Sequence, residues 1–235
     1  MLDKTFLNSV QFEVKGQLGC FSDPLLRTSG ERFSYQFPTQ EAIKHICEDI
    51  YWKPPMIWVV DKIRVMNESQ YCSMGATPLK FSGDRGIATT TYLAGCRYQV
   101  DAHFVWNYGC DYLPKDADHN KEFLYKHSNI AKRYLERGGR RPVYLGTSEC
   151  VATIEPCMFG TGEGFYDGAG EMEIGMMHHG FTYQSEIYHP GDLPINTANM
   201  WNAKMENGVI VFPLPFDENV RRREINIVSS KGEKR

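Results

Sequence analysis

The sequence lacks any apolar run long enough to cross a membrane as a helix, which takes about 18 residues or more. It also lacks the charged segment followed by an apolar run that opens a secretory signal peptide. These two absences argue against a helical membrane protein and against a protein with a secretory leader. We therefore expect a cytoplasmic protein that has no membrane partner.

Cysteine pairs at ligand or redox spacing are also absent. The seven cysteines form no CxxC or CxxH pair and are scattered over positions 20, 47, 72, 96, 110, 150 and 157. This pattern indicates neither a disulfide framework nor a zinc site, so we interpret the cysteines as free thiols in a reducing compartment. His178, His179 and His189 have no cysteine or carboxylate at ligand spacing, and we predict packed or surface roles for them. We expect no metal and no cofactor.

Net charge is small as well, with a formal value of −3 at pH 7. This balance argues against a protein that coats nucleic acid nonspecifically. The charge is nevertheless uneven, because the segment YKHSNIAKRYLERGGRR (125–141) holds six basic residues and one acidic residue, a local balance of +5. Such a segment is either a solvated helix face or a site that holds a phosphate.

Hydrophobic residues make up 42% of the 235 residues, and 13 Tyr and 13 Phe favour a folded protein that contains sheet. Alternating, branched or aromatic residues predict strands at 10–21, 56–67, 89–107 and 141–156. We expect the third strand to be broken or bulged near Gly95. The turn residues between the second and third strands predict a loop over 75–86.

Two helices are predicted. The first lies within 38–55, where Thr39 is the N-cap, an apolar stripe recurs at helical spacing, Tyr51 falls in the last turn and Pro54-Pro55 ends the helix. The second spans 128–139 and ends at a Gly-Gly pair. The order strand, helix, strand, strand, helix, strand over residues 8–156 is the β-α-β-β-α-β ferredoxin-like plan of an α+β protein.

The remaining residues read as an extension of this domain. Residues 157–220 are interpreted as a mostly β segment with hairpin turns at Asp167-Gly168 and Asn207-Gly208. Residues 221–235 are polar, and we expect a poorly ordered tail. The glycines of FGTGEG (159–164) resemble a phosphate loop, but no Lys-Ser/Thr follows them, so we interpret them as turns that need positive φ.

His127 has two interpretations from the pattern alone. If the second helix extends back to Phe123, the histidine lies in the middle of the apolar stripe and is a core residue. If Ser128 is the N-cap, Lys126 and His127 precede the first turn, where free backbone N–H groups can bind a phosphate. Tyr51 has a similar choice between packing and a site role, since a buried hydroxyl needs a partner. The pattern leaves these alternatives open.

Five motifs occur together in one order, namely FEVKG (12–16), DIYWKP (49–54), the Lys126-His127 pair, GGRR (138–141) and EPCMFGTGEGFYDG (155–168). With these motifs the chain resembles the fifth family of CRISPR-associated proteins in its Dvulg subtype (subtype I-C), a group of RAMP proteins. The tail and the loop YGCDYLPKDADHNKEF (108–123) match this pattern least well.

The resemblance implies a ferredoxin-like, RRM-related domain with a β-rich C-terminal part, and metal-independent cleavage of CRISPR precursor RNA within its repeat. It further implies that the protein stays on the 5′ handle of the RNA and joins other subunits in a surveillance complex of subtype I-C. The proposed catalytic trio of the family is a tyrosine of the YWKP segment with an adjacent lysine and histidine. These positions hold Tyr51, Lys126 and His127.

Cleavage without a metal uses the 2′-OH of the substrate as nucleophile and leaves a 2′,3′-cyclic phosphate and a 5′-OH. The site then accepts one proton, donates another to the leaving oxygen and stabilises a charged phosphorane. We assign Lys126 to the phosphate and proton transfer to His127, whose ordinary pKa is about 6.5. Tyr51, with an ordinary pKa of about 10, suits proton donation. Which of the two is base and which is acid stays open.

Positive and glycine residues near this trio are expected to bind the RNA backbone; these are Lys53, Arg133, Arg137, Gly138, Gly139, Arg140 and Arg141. Sequence specificity should come from RNA shape and unpaired nucleotides, since the A-form major groove is too narrow for side chains. Two other functions stay open: a catalytically silent RNA-capping subunit, and a small-molecule enzyme of ferredoxin-like fold, for which no cofactor motif is present.

Overall fold

The structure, a computed structural model, describes residues 7–22, 32–77, 79, 83 and 85–225. Two helices are present in these ranges, α1 (Gln40–Ile50) and α2 (Lys121–Glu136). The strands are β1 (Ser9–Gly19), β2 (Arg32–Phe33), β3 (Met56–Val65), β4 (Gln70–Ala76), β5 (Ala88–Trp106), β6 (Val143–Tyr144), β7 (Val151–Pro156), β8 (Glu171–Thr182), β9 (Thr197–Glu206), β10 (Val209–Val211) and β11 (Val220–Glu224). Neither described helix has the length and apolar content needed to cross a membrane.

All described strands belong to one eleven-stranded sheet. Its centre has the order β7-β1-β5-β3, and each neighbouring pair in it is antiparallel. On the far side of β3 the order continues β10-β9-β11, and β8 pairs with β9. The short β2 pairs with β5 in parallel, and β4 pairs with β5 as an antiparallel hairpin arm. The fold is therefore a strand-rich mixture of helix and largely antiparallel sheet, as predicted.

Helix α1 forms where the sequence predicts it. The Thr39 hydroxyl accepts a hydrogen bond from the backbone N–H of Ala42 at 3.3 Å, which caps the helix. Its apolar stripe packs inward, with Ile43, Ile46, Cys47 and Ile50 fully or almost fully buried. Tyr51 was predicted in the last turn, but it lies one residue beyond the helix with an extended backbone. The extended backbone turns the chain towards β3.

Helix α2 begins earlier than predicted, and the reason is a better cap. The Asn120 side-chain oxygen accepts a hydrogen bond from the backbone N–H of Phe123 at 2.9 Å, so the helix starts at Lys121. Ser128 is therefore not an N-cap, and its hydroxyl instead donates to the Leu7 carbonyl at 2.7 Å. The predicted stop is confirmed: the glycines at 138 and 139 have φ of 83° and 99°.

Both helices pack against the central strands, where alternate side chains form the core. The largest fully buried side chains include Phe12 of β1, Trp58 of β3 and Phe104 of β5. Trp58 and Phe104 meet edge to face with ring centroids 5.6 Å apart. Each such side chain stabilises the fold by about 1.5–3 kcal/mol relative to its exposure to water. The side chains that point to the other face of β5 are mostly polar; they include Arg97, Gln99, Asp101 and His103.

Several predicted elements need correction. β4 was not predicted, and it overlaps the start of the predicted loop, part of which lies outside the described residues. The predicted third strand is not broken, since β5 runs through Gly95, but it is irregular there: Gly95 has φ of 62° and has no partner in the register with β1. The predicted strand 141–156 is two strands, β6 and β7, with a turn between them.

The C-terminal half is mostly β, and one of its two predicted hairpin turns is confirmed. Asn207 and Gly208 have φ of 46° and 79° and join β9 to β10. The turn at Asp167-Gly168 joins no such hairpin, because β7 pairs with β1 and β8 with β9. Residues 221–224, predicted as tail, lie in β11, which pairs with β9. Ile225 follows β11, and residues 226–235 of the predicted tail are outside the described residues.

Candidate active site

The predicted tyrosine and histidine meet between the two helices. The Tyr51 hydroxyl and Nδ1 of His127 are 2.8 Å apart, a hydrogen bond between residues 76 positions apart in sequence. Tyr51 is 3% exposed and His127 is 7% exposed. The pair is therefore largely covered by the chain, and its hydrogen bond is short enough to set the orientation of both rings.

Tyr51 is held by its backbone. Its N–H donates to the Cys47 carbonyl at the end of α1 at 3.0 Å, and its carbonyl accepts from Nε1 of Trp58 in β3 at 2.7 Å. These two bonds fix the extended residue between helix and sheet. From this fixed backbone the phenol extends to α2, where it contacts His127 and Tyr134.

His127 is held by the aromatic residues around it. It lies on the inner face of α2, where Phe123, one turn earlier, contacts its ring edge to face with centroids 4.6 Å apart. Trp106, the last residue of β5, makes a second edge contact at 5.9 Å. Nδ1 is taken by Tyr51, whereas Nε2 makes no hydrogen bond to the part of the chain that the structure describes. Nε2 is therefore the nitrogen left for a substrate.

The pKa values of the pair move in the directions that this environment dictates. Burial, followed by the positive charges of Lys126 and Lys53, lowers the pKa of His127 below its ordinary value. Burial, followed by the neighbouring phenol of Tyr134, raises the pKa of Tyr51, and Arg140 opposes that rise. Near neutral pH the imidazole is consequently neutral and the phenol is protonated.

The lysine of the trio and the cations predicted for RNA binding, apart from Arg141, divide into two groups. Lys53, Lys126 and Arg140 have exposed side chains and are close enough to act on the pKa of the pair. Arg133 is exposed in the last turn of α2, and Arg137 is exposed just after it. Within the part of the chain that the structure describes, no hydrogen bond or ion pair joins their side chains to the site.

The glycine turn after α2 is tied to the end of α1. The backbone N–H groups of Arg140 and Arg141 both donate to the Asp49 carbonyl, at 3.0 and 3.1 Å. The Arg141 guanidinium also lies 4.0 Å from the Asp49 carboxylate. Gly138 and Gly139 take the left-handed conformations that let the chain reverse there. The turn therefore ties Arg140 to Asp49, which precedes Tyr51 by two positions in the sequence.

Of the two open interpretations of His127, the anion site at a helix N-terminus is wrong, and the buried histidine in a helix that extends back to Phe123 is confirmed. The alternative with Ser128 as N-cap placed Lys126 and His127 at a helix N-terminus with free backbone donors, but both lie inside α2. Their N–H groups are inside the helical hydrogen-bonding pattern, since only the first four of a helix are free. A phosphate at this site would be bound by side-chain cations rather than by backbone N–H groups.

The glycine-rich segment 159–168 forms a loop over the polar face of the sheet. Gln99 of β5 accepts from the Gly160 N–H at 2.9 Å, and Arg64 of β3 donates to the Gly162 carbonyl at 2.9 Å. Arg64 also makes an ion pair with Asp167 at 2.6 Å. Gly160 and Gly162 have positive φ, as predicted, whereas Gly164 does not. This loop is anchored by two strands, β3 and β5, that the sequence pattern did not connect to it.

His178, His179 and His189 have packed or surface roles, as predicted. His178 and His179 of β8 are buried, and Nε2 of His179 is 2.8 Å from the Pro213 carbonyl. His189 is exposed and lies 3.4 Å from the Asp192 carboxylate. Across the described ranges, no group of three or more His, Cys, Asp or Glu side chains is arranged to hold a metal ion.

Two site features were missed by sequence reasoning. Tyr134 stacks on Tyr51 with centroids 6.0 Å apart and planes 17° apart. In the sequence it reads as one more inward residue of the apolar stripe, although its spacing of seven from His127 places both on one helix face. The second feature is the contact of the Asp49 carbonyl with the N–H groups of Arg140 and Arg141. It has no signal in the sequence, because every residue has a backbone carbonyl that could accept these bonds.

The comparisons with known proteins agree with one another. A family model for Cas5d, described as CRISPR-associated protein (Cas_Cas5), matches residues 9–213. A relative from Mannheimia succiniciproducens, named CRISPR pre-crRNA endoribonuclease Cas5d, is 25% identical over 92% of this chain and 99% of its own length. A relative of the same name from Thermus thermophilus is 29% identical over 94% of this chain and 92% of its own length.

Solved structures are similar over nearly the whole chain. One, described as a crystal structure of a CRISPR-associated protein, has a TM-score of 0.68 and 27% identity, and covers 91% of this chain and 96% of its own. Another, a functionally uncharacterized protein from Streptococcus mutans, has a TM-score of 0.67 and 26% identity, with the same coverage of 91% and 96%.

Proposed function

The chain belongs to the Cas5d family of CRISPR-associated proteins, and from this premise we propose that it is an endoribonuclease that cuts CRISPR precursor RNA. The relatives named for this activity match almost their entire length, which supports the proposal. The observation that carries it is the hydrogen bond between Tyr51 and His127, bordered by exposed cations.

The proposed reaction needs no metal. The 2′-OH of the nucleotide before the cut attacks the phosphorus, the new O2′–P bond forms and the P–O5′ bond breaks. His127, neutral near pH 7 because its pKa is lowered, accepts the 2′-OH proton at Nε2. For this role Nδ1 carries the other imidazole proton and donates it to the Tyr51 oxygen, which fixes the tautomer.

The remaining two steps fall to the tyrosine and the lysine. Tyr51, whose raised pKa keeps it protonated, donates its own O–H proton towards the leaving 5′ oxygen. Lys126 stabilises the charge that develops on the phosphorane, with an effect of about 10²–10³ in rate by analogy with an oxyanion-hole donor. The products are a 2′,3′-cyclic phosphate and a 5′-OH.

RNA is proposed to lie along the end of α2 and the turn after it. Lys53 and Arg140 border the site, and the glycine turn brings the backbone close enough for a phosphate chain to pass. Arg133, Arg137 and Arg141 would continue this track along α2, giving an affinity that falls with salt. Family membership supports a protein that stays on the 5′ handle with other subunits of a subtype I-C surveillance complex in the cytoplasm.

The fold of residues 8–156 is proposed to be ferredoxin-like and RRM-related, with a β-rich extension over 157–220. The strand order β7-β1-β5-β3 supports this, with α1 between β1 and β3 in sequence and α2 between β5 and β7. The extension continues the same sheet, because β10 pairs with β3.

A second function is favoured by one observation, the burial of Tyr51 and His127. A hydrogen-bonded pair with so little exposed surface also fits a core contact, in which case the protein is a catalytically silent subunit that caps the RNA. The exposed Lys126 and Lys53 would then act as a phosphate clamp.

The test is a gel assay of end-labelled cognate repeat RNA with purified protein in EDTA. Wild-type protein should make a single cut with a 2′,3′-cyclic phosphate end, and His127→Ala should bind without cutting. His189→Ala is the matched control, since that histidine is exposed and far from the pair in sequence. A 2′-deoxy nucleotide at the cut position should block cleavage and spare binding.

Three results would contradict the proposal. Tight binding without any cut would make the protein a capping subunit. Cleavage that depends on magnesium would overturn the metal-free mechanism. Normal cleavage of the 2′-deoxy substrate would exclude attack by the 2′-OH.

A further inference from the structure

Tyr134 lies in α2 next to the Tyr51–His127 pair. It follows His127 by seven residues, which is two helical turns and about 10.5 Å along the axis. The Tyr51 ring lies 5.9 Å from the His127 ring and 6.0 Å from the Tyr134 ring, centroid to centroid. The Tyr51 ring therefore fills the gap between the other two.

The angles between the rings distinguish the two contacts. The planes of Tyr51 and Tyr134 are 17° apart, which is a stacked arrangement, whereas those of Tyr51 and His127 are 34° apart. The contact with Tyr134 thus covers one face of the phenol, and the contact with His127 is made through the hydroxyl. Tyr134 therefore limits movement of the phenol towards the face on which it stacks.

We propose that Tyr134 is a positioning residue for RNA cleavage, which holds the Tyr51 phenol against the His127 imidazole. This inference rests on the proposed endoribonuclease function and adds a residue outside the Tyr-Lys-His trio. Tyr134 acts through Tyr51, and the pattern of the sequence alone gives it only a packing role.

The backbone of the same residue reaches the proposed RNA track. The Tyr134 carbonyl accepts hydrogen bonds from the N–H groups of Gly139 at 2.9 Å and Arg137 at 3.1 Å. Arg140, which follows Gly139, donates its backbone N–H to the carbonyl of Asp49, and Asp49 precedes Tyr51 by two positions. One residue therefore supports the tyrosine ring with its side chain and the glycine turn with its carbonyl.

The ring of Tyr134, and not its hydroxyl, carries this role. The hydroxyl makes no hydrogen bond with any residue that the structure describes, and the side chain is half-buried. Phenylalanine retains the stacked plane and the volume, so Tyr134→Phe should preserve the alignment. Leucine retains apolar bulk without a plane, so Tyr134→Leu should release the phenol.

The experiment measures single-turnover cleavage of repeat RNA at saturating protein. We expect Tyr134→Phe to cut within about twofold of wild type and Tyr134→Leu to cut about tenfold or more slowly, because a small misplacement of a reacting group is costly in rate. The RNA dissociation constant should stay the same in both. Equal rates for Tyr134→Leu and wild type would overturn the inference.

A double-mutant cycle separates positioning from general destabilisation. In a Tyr51→Phe background the hydroxyl that Tyr134 aligns is absent, so Tyr134→Leu should have little further effect on rate. An undiminished effect in that background would mean that Tyr134 acts independently of Tyr51, which contradicts the proposal.

A spectroscopic readout tests the positioning without reference to cleavage. The imidazole NMR signals of His127 should change in Tyr134→Leu, which loosens the hydrogen bond to Nδ1, and stay as in wild type in Tyr134→Phe. Unchanged signals in Tyr134→Leu would overturn the inference. If wild-type protein binds RNA without cutting it, the proposed function fails, and this readout still decides whether Tyr134 holds Tyr51.

Discussion

Replacing Tyr51 by phenylalanine removes one oxygen from the centre of the proposed site. The ring and its stacking partner stay, whereas the 2.8 Å hydrogen bond to Nδ1 of His127 is lost. The imidazole is then held by its two edge contacts with aromatic residues alone. The change in cleavage rate therefore reports what the hydroxyl contributes.

The size of the effect distinguishes the two roles of Tyr51. If the hydroxyl only orients the imidazole, the loss is that of a neutral hydrogen bond, about 0.5–1.5 kcal/mol, which corresponds to about 2–13-fold in rate. If it also donates a proton to the leaving oxygen, the loss is that of a general acid, about 10²–10⁴-fold. Our mechanism predicts the larger effect.

The assay is single-turnover cleavage of repeat RNA in EDTA, with the dissociation constant measured in parallel. Tyr112→Phe is the matched control, because that tyrosine is 83% exposed and removal of its hydroxyl should change nothing. A loss of about tenfold or less would restrict Tyr51 to orienting the imidazole. An unchanged rate for Tyr51→Phe would refute the assignment of the pair as the site.

Three further results are expected. Lys53→Met removes a positive charge that lowers the imidazole pKa, so the acid limb of the pH–rate profile, where the base becomes protonated, should move to higher pH; an unmoved limb would exclude this coupling. Replacing Arg140 and Arg141 by alanine should reduce the slope of log affinity against log salt by about 1 per lost phosphate contact, and an unchanged slope would place the RNA track elsewhere. In denaturant unfolding, Gly138→Ala should cost about 1–2 kcal/mol from its positive φ, and Gly139→Ala more, because its Cβ would also lie 3.2 Å from the Arg141 carbonyl oxygen; equal losses would contradict this geometry.

Local signals predicted α1 well because they agree with one another. Thr39 caps the helix, the apolar residues follow helical spacing, and Pro54-Pro55 prevents continuation. The start of α2 was wrong because two residues compete for the cap. Asn120 takes that role, and the hydroxyl of Ser128 finds a partner near the amino terminus, Leu7, which no local pattern reveals.

The strands that sequence reasoning missed are those without an alternating pattern. β4 has the sequence QYCSMGA and is mostly exposed on both faces, so it lacks the periodic burial that identifies a strand. Arg221, Arg222 and Arg223 of β11 read as a polar tail, but they belong to a strand that pairs with β9. In both cases the partner strand supplies the stability, and it is distant in sequence.

The site itself was predictable only in part. Tyr51, Lys126 and His127 were assigned from the resemblance to a family, and the pattern left a packed role open for the tyrosine and the histidine. Their contact depends on how two helices pack on one sheet, which is tertiary information. The role of Tyr134 follows only from that packing, since a stacked phenol and an ordinary core tyrosine have the same helical spacing.

The strand β10 has a consequence for synthesis on the ribosome. It covers the outer edge of β3, yet Val209, where it begins, comes 53 residues after Pro156, the end of β7. At about 5–20 residues per second this delay lasts about 3–10 s. During it the apolar β3 presents unpaired N–H and C=O groups, which attract other chains. Loss of nascent protein to aggregation should therefore depend on how fast residues 157–208 are translated. In the folded protein β10 pairs with this edge of β3, so the edge is no longer open to other chains.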